Sequence, residues 1–235
     1  MSIRYILFDL DGTLLPMDQD LFIHAYFTAM SAHMAPHGYI PETFIQTVWQ
    51  STGAMFHNDG SVTNETAFWN AFCSVYGENA RACEPILDLF YQNEFPKIKS
   101  SCGYTPQAAQ LIAALKQMGY SLVLATNPIF PAIATESRMI WAGLNKEDFL
   151  LYTTYENSSY CKPNPKYYQE VLQKIGANPA ECLMVGNDAT EDLAALTLGI
   201  PVFLLTDCLI NKHNIDVSQY PHGDFNALIE YIRSL

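Results

Sequence analysis

Positive charge is scarce in this 235-residue sequence. It has 12 Lys and Arg residues against 24 Asp and Glu residues, which gives a formal net charge of −12. Proteins that bind duplex nucleic acid need clustered basic side chains to neutralise phosphates, so this balance argues against a nucleic-acid partner. We attribute most of the negative charge to solubility. Hydrophobic residues make up 49% of the chain, which is ample for the core of a globular protein.

The sequence also lacks paired cysteines and long apolar runs. Its six cysteines form no CxxC pair and no regular framework, so we expect reduced thiols in a cytoplasmic protein. No apolar stretch approaches the ~18 residues that a membrane span requires. The first strand begins without a basic leader region or a cleavage site. We therefore expect neither export nor membrane attachment. As a separate expectation, the protein is a monomer or a homodimer.

Helix and strand patterns alternate in the second half of the chain. Residues 105–120 have apolar side chains at helical spacing, and the short strand-like run SLVLATN follows at 121–127. The same order then recurs: helix at 164–176, strand at 181–188 ending in polar residues, helix at 189–199 closed by Gly199, and strand at 200–207. This alternation predicts an α/β protein with a doubly wound parallel sheet.

Residues 17–95 interrupt that alternation. Stretches such as LFIHAYFTAMSAHM and ETAFWNAFCSVYG have helical patterns, and no convincing strand lies between the first strand and Tyr120. The pattern predicts a helical domain, residues 17–95, inserted into a core formed by residues 1–16 and 96–235. Its aromatic residues recur near helical spacing, and we interpret them as domain core rather than as a stacking platform for bases. They are Phe22, Tyr26, Phe27, Phe68, Trp69, Phe72 and Tyr76.

Polar side chains follow three of the predicted strands. They are Asp9 and Asp11 after ILF, Thr126 and Asn127 after LVLA, and Asn187 and Asp188 after LMVG. Asp is depleted inside strands, and open α/β sheets bind ligands outside the carboxyl ends of their strands. We therefore expect these side chains to meet in one site.

Two acids of the last group lie four residues apart. Asp188 is a candidate N-cap for the predicted helix, and Asp192 would lie on the same face of its first turn. Capping alone would account for an isolated pair of this kind. Beside Asp9 and Asp11, however, the pair completes a cluster of four acids that repels itself unless a cation is bound. Oxygen ligands favour a hard ion, so we predict Mg²⁺.

Lys162, in the segment CKPNP, adds a positive charge just before a predicted helix. Most lysines are simply exposed. A site that holds Mg²⁺ and carboxylates and also binds a phosphate dianion would nevertheless need such a cation, together with donors like those of Thr126 and Asn127. A phosphate ligand would explain why these groups occur together.

Four segments together resemble the ordered motifs of the haloacid dehalogenase superfamily. They are DLDGT at 9–13, ATN at 125–127, KPNP at 162–165 and GNDATED at 186–192, and they span most of the chain. The helical insertion directly after the first motif is similar to that superfamily's first type of cap domain. The resemblance implies a Rossmann-like core with a helical cap, and a Mg²⁺-dependent phosphatase that forms an aspartyl-phosphate intermediate.

The resemblance also implies catalytic roles. Asp9 would be the nucleophile, and Asp11 would be the general acid and then the base. Asp9, the backbone carbonyl of Asp11, and Asp188 would hold Mg²⁺. Lys162 would act with them on the phosphoryl group.

Further matching residues would bind or support. Thr126, Asn127 and Lys162 would hold the phosphoryl oxygens, Gly12 would allow the required turn, and Asp192 would orient a metal-bound water or Lys162. The last motif departs from its commonest version, because Asn187 stands between Gly186 and the first acid. Whether Asn187 or Asp188 faces the metal is therefore open.

Two functions other than a phosphatase remain open. One is a phosphomutase of the same superfamily, and the other is a non-catalytic binding or regulatory module. A dehalogenase is less expected, since halide departure does not require the acid that Asp11 supplies. The pair His33 and His37 has metal-ligand spacing but is interrupted by Pro36 and lacks a third ligand, so we expect a structural role. We expect Cys161, next to Lys162, to be an unreactive neighbour.

Overall fold

The fold is described from a computed structural model, which covers residues 2–235. Six strands form one sheet in the order β3-β2-β1-β4-β5-β6, and every adjacent pair is parallel. The strands are β1 Tyr5–Phe8, β2 Ser121–Leu124, β3 Leu151–Tyr152, β4 Cys182–Gly186, β5 Val202–Leu205 and β6 His222–Gly223. From β1 the chain fills first one side of the sheet and then the other. The carboxyl end of β1 is therefore the topological switch point, where ligands bind in such sheets.

Eight α-helices lie among residues 2–235, and some of them cover the two faces of the sheet. The eight helices are α1 Gln19–Met34, α2 Pro41–Phe56, α3 Asn64–Tyr76, α4 Glu84–Asn93, α5 Pro106–Gln117, α6 Ala132–Trp141, α7 Pro165–Ile175 and α8 Phe225–Arg233. Alternate strand residues point to opposite faces, so Ile6 and Phe8 pack with α5 and α8 whereas Leu7 packs with α7. The predicted doubly wound α/β fold is confirmed.

The chain between β1 and β2 is helical. Residues 19–101 form α1 to α4 and several 3-10 helices, with no strand among them. We call residues 19–101 the helical segment. Its aromatic residues pack in the same apolar cluster as one face of the sheet, which agrees with their interpretation as core. The predicted boundary near Phe95 falls at the start of the 3-10 helix Phe95–Ser101, which contacts α1, α4 and α6.

The predicted α-helix at 189–199 is wrong. Leu193–Leu198 forms a 3-10 helix, and a turn precedes it. Asp188 Oδ1 accepts hydrogen bonds from the backbone N–H groups of Thr190 (2.7 Å) and Glu191 (2.9 Å), while Asp192 Oδ2 accepts one from Asp188 N–H (2.9 Å). The bonds to Asp188 Oδ1 are those of an N-cap side chain, and Asp192 N–H also donates to the carbonyl of Asp188 at 2.9 Å, so residues 188–192 form a single turn that leads into the 3-10 helix.

No helix within residues 2–235 combines the length and apolarity needed to cross a bilayer.

All six cysteines are free thiols. Burial raises the pKa of Cys161 to about 12, which suits an unreactive neighbour of Lys162. His33 Nε2 lies 3.0 Å from the carbonyl oxygen of Ile86 in α4, a contact between helices that agrees with a structural role.

Candidate active site

The carboxyl ends of β1, β2 and β4 bring the predicted residues together. The register pairs Phe8 with Leu124 on one side and with Val185 on the other, so the residues that follow these strands emerge at one edge. One cavity is lined by Asp9, Asp11, Thr126, Asn127, Asn187, Asp188 and Asp192. Lys162, which precedes α7, contacts two of these side chains. The predicted convergence of the strand ends is therefore confirmed.

Lys162 joins two acids of the site. It is fully buried, and its Nζ donates to Asp9 Oδ1 at 3.0 Å and to Asp192 Oδ1 at 2.8 Å. Burial acts to lower the pKa of Lys162, but the carboxylates of Asp192 and Asp9 outweigh it and hold that pKa well above its usual value. Lys162 is therefore a permanent cation at the base of the site.

Asp9 is short of positive charge despite this contact. Burial raises the pKa of Asp9 from 3.8 to about 7, Lys162 acts against the rise, and Asp192 and Asp11 add to it. One oxygen of Asp9 is bound to Lys162, while Oδ2 receives only a 3.4 Å contact from the hydroxyl of Thr13. An additional cation near Asp9 would favour the ionised carboxylate.

Arg138, which the sequence analysis missed, pairs with Asp11. This α6 residue is buried, its Nη1 donates to Asp11 Oδ2, and its guanidinium lies 4.3 Å from the ring centre of Phe130. Burial raises the pKa of Asp11, whereas Arg138 and Lys162 lower it. Arg138 shares a helical face with the buried residues Ala134 and Thr135. An arginine in that pattern signals an acidic partner, because buried arginines are almost always paired.

Asn187 and Asp188 differ in whether a side-chain oxygen is left without a hydrogen bond. The Asn187 amide accepts from Thr13 Oγ1 at 2.8 Å and donates to the carbonyl of Cys208 at 2.7 Å, so both of its ends hold loops together. Asp188 uses Oδ1 in the turn, and its Oδ2 accepts no hydrogen bond from residues 2–235. Asp188 therefore offers the free oxygen to the cavity.

Two glycines allow these loops to approach one another. Gly12 has φ +82°, and a Cβ there would lie 2.3 Å from Asn187 Nδ2. At Gly186 a Cβ would lie 2.0 Å from Asp192 Oδ2. A larger residue at either position would displace an amide or a carboxylate of the site.

Thr126 and Asn127 complete one wall. The carbonyl of Thr126 is fixed by the hydroxyls of Thr153 (2.6 Å) and Tyr167 (2.9 Å). Asn127 Nδ2 donates to Glu191 Oε1 at 3.0 Å, and burial raises the pKa of Glu191 to about 8. Glu191 was also missed, although it is the second acid of GNDATED. It adds one more carboxyl group to the site.

The comparison with protein families gives one match over most of the chain. A family model described as haloacid dehalogenase-like hydrolase matches residues 3–198.

Individual relatives are distant but extensive. The pyrophosphatase PpaX of Bacillus cereus is 25% identical over 191 residues, which cover 80% of this chain and 76% of that protein. The glyceraldehyde 3-phosphate phosphatase of Methanothermobacter thermautotrophicus is 28% identical over 121 residues, covering 48% of this chain and 52% of that protein. Among solved structures, a predicted phosphoglycolate phosphatase from Haemophilus somnus 129pt has a TM-score of 0.60 at 18% identity, over 98% of both chains. This last likeness concerns the fold alone.

Proposed function

The chain belongs to the haloacid dehalogenase-like hydrolases, and from that membership we propose a Mg²⁺-dependent phosphatase that acts on a small phosphorylated metabolite through an aspartyl-phosphate intermediate. The predicted family and enzyme class are confirmed by the family match, and the relatives named as phosphatases support them. The observation that carries the proposal is the contact of buried Lys162 with both Asp9 and Asp192. It sets a cation beside the proposed nucleophile, where phosphoryl oxygens would bind.

The acids of the site fit Mg²⁺. Asp188 has a free carboxylate oxygen, and burial leaves the carboxyl group of Asp9 short of positive charge. No three His, Cys, Asp or Glu side chains in residues 2–235 form a ready-made metal centre. Our proposed set requires only the carboxylates of Asp9 and Asp188 with the backbone carbonyl of Asp11, and Mg²⁺ keeps several waters. When bound, the ion supplies charge that neutralises the phosphoryl oxygens.

In the first step Asp9 attacks phosphorus. We assign the attack to Oδ2, because Oδ1 is held by Lys162. A bond forms between this oxygen and phosphorus as the ester P–O bond breaks, and Asp11 gives its proton to the departing alkoxide. Thr126, Asn127 and Lys162 hold the phosphoryl oxygens.

In the second step water cleaves the aspartyl phosphate. Asp11, now ionised, takes a proton from water as the water oxygen bonds to phosphorus, and the Asp9–phosphorus bond breaks. Inorganic phosphate leaves and Asp9 is restored. Asp192 orients Lys162 in both steps through its 2.8 Å contact.

We extend the proposal to the organisation of the chain. Residues 17–95 are a helical cap that reads the leaving group, and residues 1–16 and 96–235 are the catalytic core. The protein is a cytoplasmic monomer or homodimer. The free cysteines support that compartment.

Release of inorganic phosphate from 4-nitrophenyl phosphate tests the proposal. We expect turnover with Mg²⁺, loss of turnover in excess chelator, recovery on adding Mg²⁺, and inhibition by Ca²⁺ because its coordination is looser. Asp9→Asn is the matched inactive control. Full activity of the native chain in excess chelator would contradict the metal assignment, and no phosphate release under any of these conditions would contradict the proposed reaction.

A further inference from the structure

The cavity extends from Asp9 into the helical segment and has an aromatic wall. It encloses about 250 Å³. The wall is built by α1, α2 and α3, and among its members are Phe22, Tyr26, Phe27, Trp49, Phe68 and Trp69. Phe27 and Trp49 lie with ring centres 5.0 Å apart, although Trp49 is 49% exposed. These rings form core packing and a binding surface at once, so their interpretation as core alone was incomplete.

The side chains that line the cavity in the described part of the chain include acids but no basic residue. Among residues 2–235 no Lys, Arg or His lines it, while α4 contributes Glu84 and Asp88. The basic side chains close to the acids, Lys162 and Arg138, are already bound to Asp9, Asp192 and Asp11. A leaving group with its own carboxylate or phosphate would be desolvated among rings and acids without a counter-ion, which is strongly unfavourable.

Arg81 does not change this balance. It is the basic residue of the helical segment whose guanidinium lies 5.4 Å from the ring centre of Trp69. Its side chain is half exposed and bound to Glu84 at 2.9 Å and to Glu65 at 2.5 Å, and it does not line the cavity. Both of its acidic partners would have to be displaced before it reached an anion.

The size of the cavity suits an aromatic ring. The space is adequate for a ring, since an apolar cavity of about 150 Å³ binds benzene.

From the aromatic wall and the missing cations, we propose that the substrate is a phosphate monoester of an uncharged aromatic alcohol. The ring packs against Phe27, Trp49 and Phe68. The phosphoryl end lies at Asp9. This inference rests on the proposed phosphatase function and specifies its substrate class.

Matched phosphate esters test the inference. Benzyl phosphate and 4-carboxybenzyl phosphate have similar leaving groups and differ by one negative charge, while ethyl phosphate lacks the ring. With Mg²⁺ we expect kcat/KM for benzyl phosphate to exceed that for the carboxylated ester by at least about 100-fold, because an unpaired buried charge is this unfavourable. We expect ethyl phosphate, phosphoglycolate and pyrophosphate also to be poorer. Equal or better turnover of the anionic esters would overturn the inference while leaving the phosphatase function intact.

A cation added to the wall should reverse the preference. Thr52 lines the cavity from α2, and its hydroxyl bonds only its own helix at Val48 O (2.9 Å) among residues 2–235. Thr52→Lys should narrow the ratio of benzyl to carboxybenzyl kcat/KM at least ~10-fold. Gln50→Lys, an exposed position on the same helix outside the cavity, is the matched control and should keep the native ratio. Equal ratios in both variants would contradict the proposed wall.

Product binding separates the two proposals. Trp49 and Trp69 line the cavity, so tryptophan fluorescence reports a bound ring without any turnover. Benzyl alcohol should quench it and 4-carboxybenzyl alcohol should not. If no ester is hydrolysed but this difference holds, the phosphatase function fails and the cavity chemistry stands. If neither alcohol quenches, or the anionic one binds better, the inference is overturned.

Discussion

At the scale of the residue, the acids of the site outnumber the cations that contact them. Asp9 and Asp192 share Lys162, and Asp11 has Arg138. Each cation acts to lower the pKa of a carboxyl group that burial raises. The protonation of the site therefore depends on two buried cations, of which Lys162 also holds the phosphoryl oxygens in our proposal and Arg138 contacts only Asp11 among the acids.

Arg138 is a positioning residue for Asp11 in this account. Arg138→Met should raise the pKa of Asp11 further, because the guanidinium now lowers it. Asp11 would then ionise and activate water only at higher pH, so the acidic limb of the kcat profile should move to higher pH and kcat near neutrality should fall by ~10- to 100-fold. Arg138→Lys keeps the positive charge, so it should partly restore both the position of the acidic limb and kcat near neutrality. An unchanged profile in the Met variant would show that Arg138 has only a packing role.

At the scale of the element, the start of α3 is attached to two loops of the site. Asn64 is fully buried, and its Nδ2 donates to the carbonyl of Pro128 at 3.1 Å. Its backbone N–H donates to the carbonyl of Ser158 at 2.7 Å. The hydroxyl of Tyr160 donates to the carbonyl of Asp59 at 2.9 Å. The loops that follow Asn127 and precede Lys162 therefore share one anchor in the helical segment.

Removing this anchor should loosen both loops. Asn64→Ala leaves the buried carbonyl of Pro128 without its donor, which destabilises by ~1–3 kcal/mol. That should lower Tm by ~3–10 °C and reduce kcat/KM by ~10-fold, as phosphoryl-binding groups lose their positions. Asn93→Ala, whose amide bonds only its own helix at Leu89 O (3.0 Å) among residues 2–235, is the control. Scanning fluorimetry measures Tm, and initial rates give kcat/KM. Equal effects in the two variants would contradict the proposal that Asn64 anchors the two loops.

Element by element, the sequence predicted what strong periodicity encodes and missed what depends on long-range contacts. The runs at 121–127 and 164–176 were assigned the correct type, and they contain the strand Ser121–Leu124 and the helix Pro165–Ile175, because buried strands and amphipathic helices have clear patterns. β3 and β6 have two residues each, too few for any pattern. The turn after Asp188 depends on side-chain to backbone bonds, and the pairing of Arg138 with Asp11 joins residues 127 positions apart. Most motif residues were found because they follow strand ends, whereas Lys162 precedes a helix and Asp192 was found by its four-residue spacing from Asp188.

At the scale of the whole molecule, burying these acids links stability to pH. The pKa of Asp9 is raised from 3.8 to about 7 in the folded chain, and that of Glu191 from 4.5 to about 8. At a pH between its unfolded-state pKa and its folded-state pKa, each carboxyl group keeps its proton in the folded chain and has released it in the unfolded chain. The contribution of these two groups to the stability of the folded chain is therefore lost as pH rises from about 4 to about 8.

The metal-free protein should accordingly be more stable at pH 5.5 than at pH 8. We expect Tm to fall by several degrees across this range, since each ~1 kcal/mol shifts Tm by ~2–4 °C in a chain of this size. Asp9→Asn should flatten the fall, because it removes one of the titrating groups. Mg²⁺ should raise Tm more at pH 8 than at pH 5.5, as it binds the ionised carboxylates. A metal-free Tm that rises with pH would contradict the assignment of these acids.

The central claim, that Asp9 carries the phosphoryl group, is tested most directly by intact-protein mass spectrometry of Asp11→Asn mixed with 4-nitrophenyl phosphate and Mg²⁺. This leaving group needs little protonation, so the variant should still form the aspartyl phosphate, and it should hydrolyse it ~10²- to 10⁴-fold more slowly because no base activates water. We predict a mass increase of one phosphoryl group, which a peptic digest of the same sample assigns to the peptide that contains Asp9, and no increase in Asp9→Asn/Asp11→Asn. A phosphoryl adduct in the double variant, or on any other peptide, would contradict it.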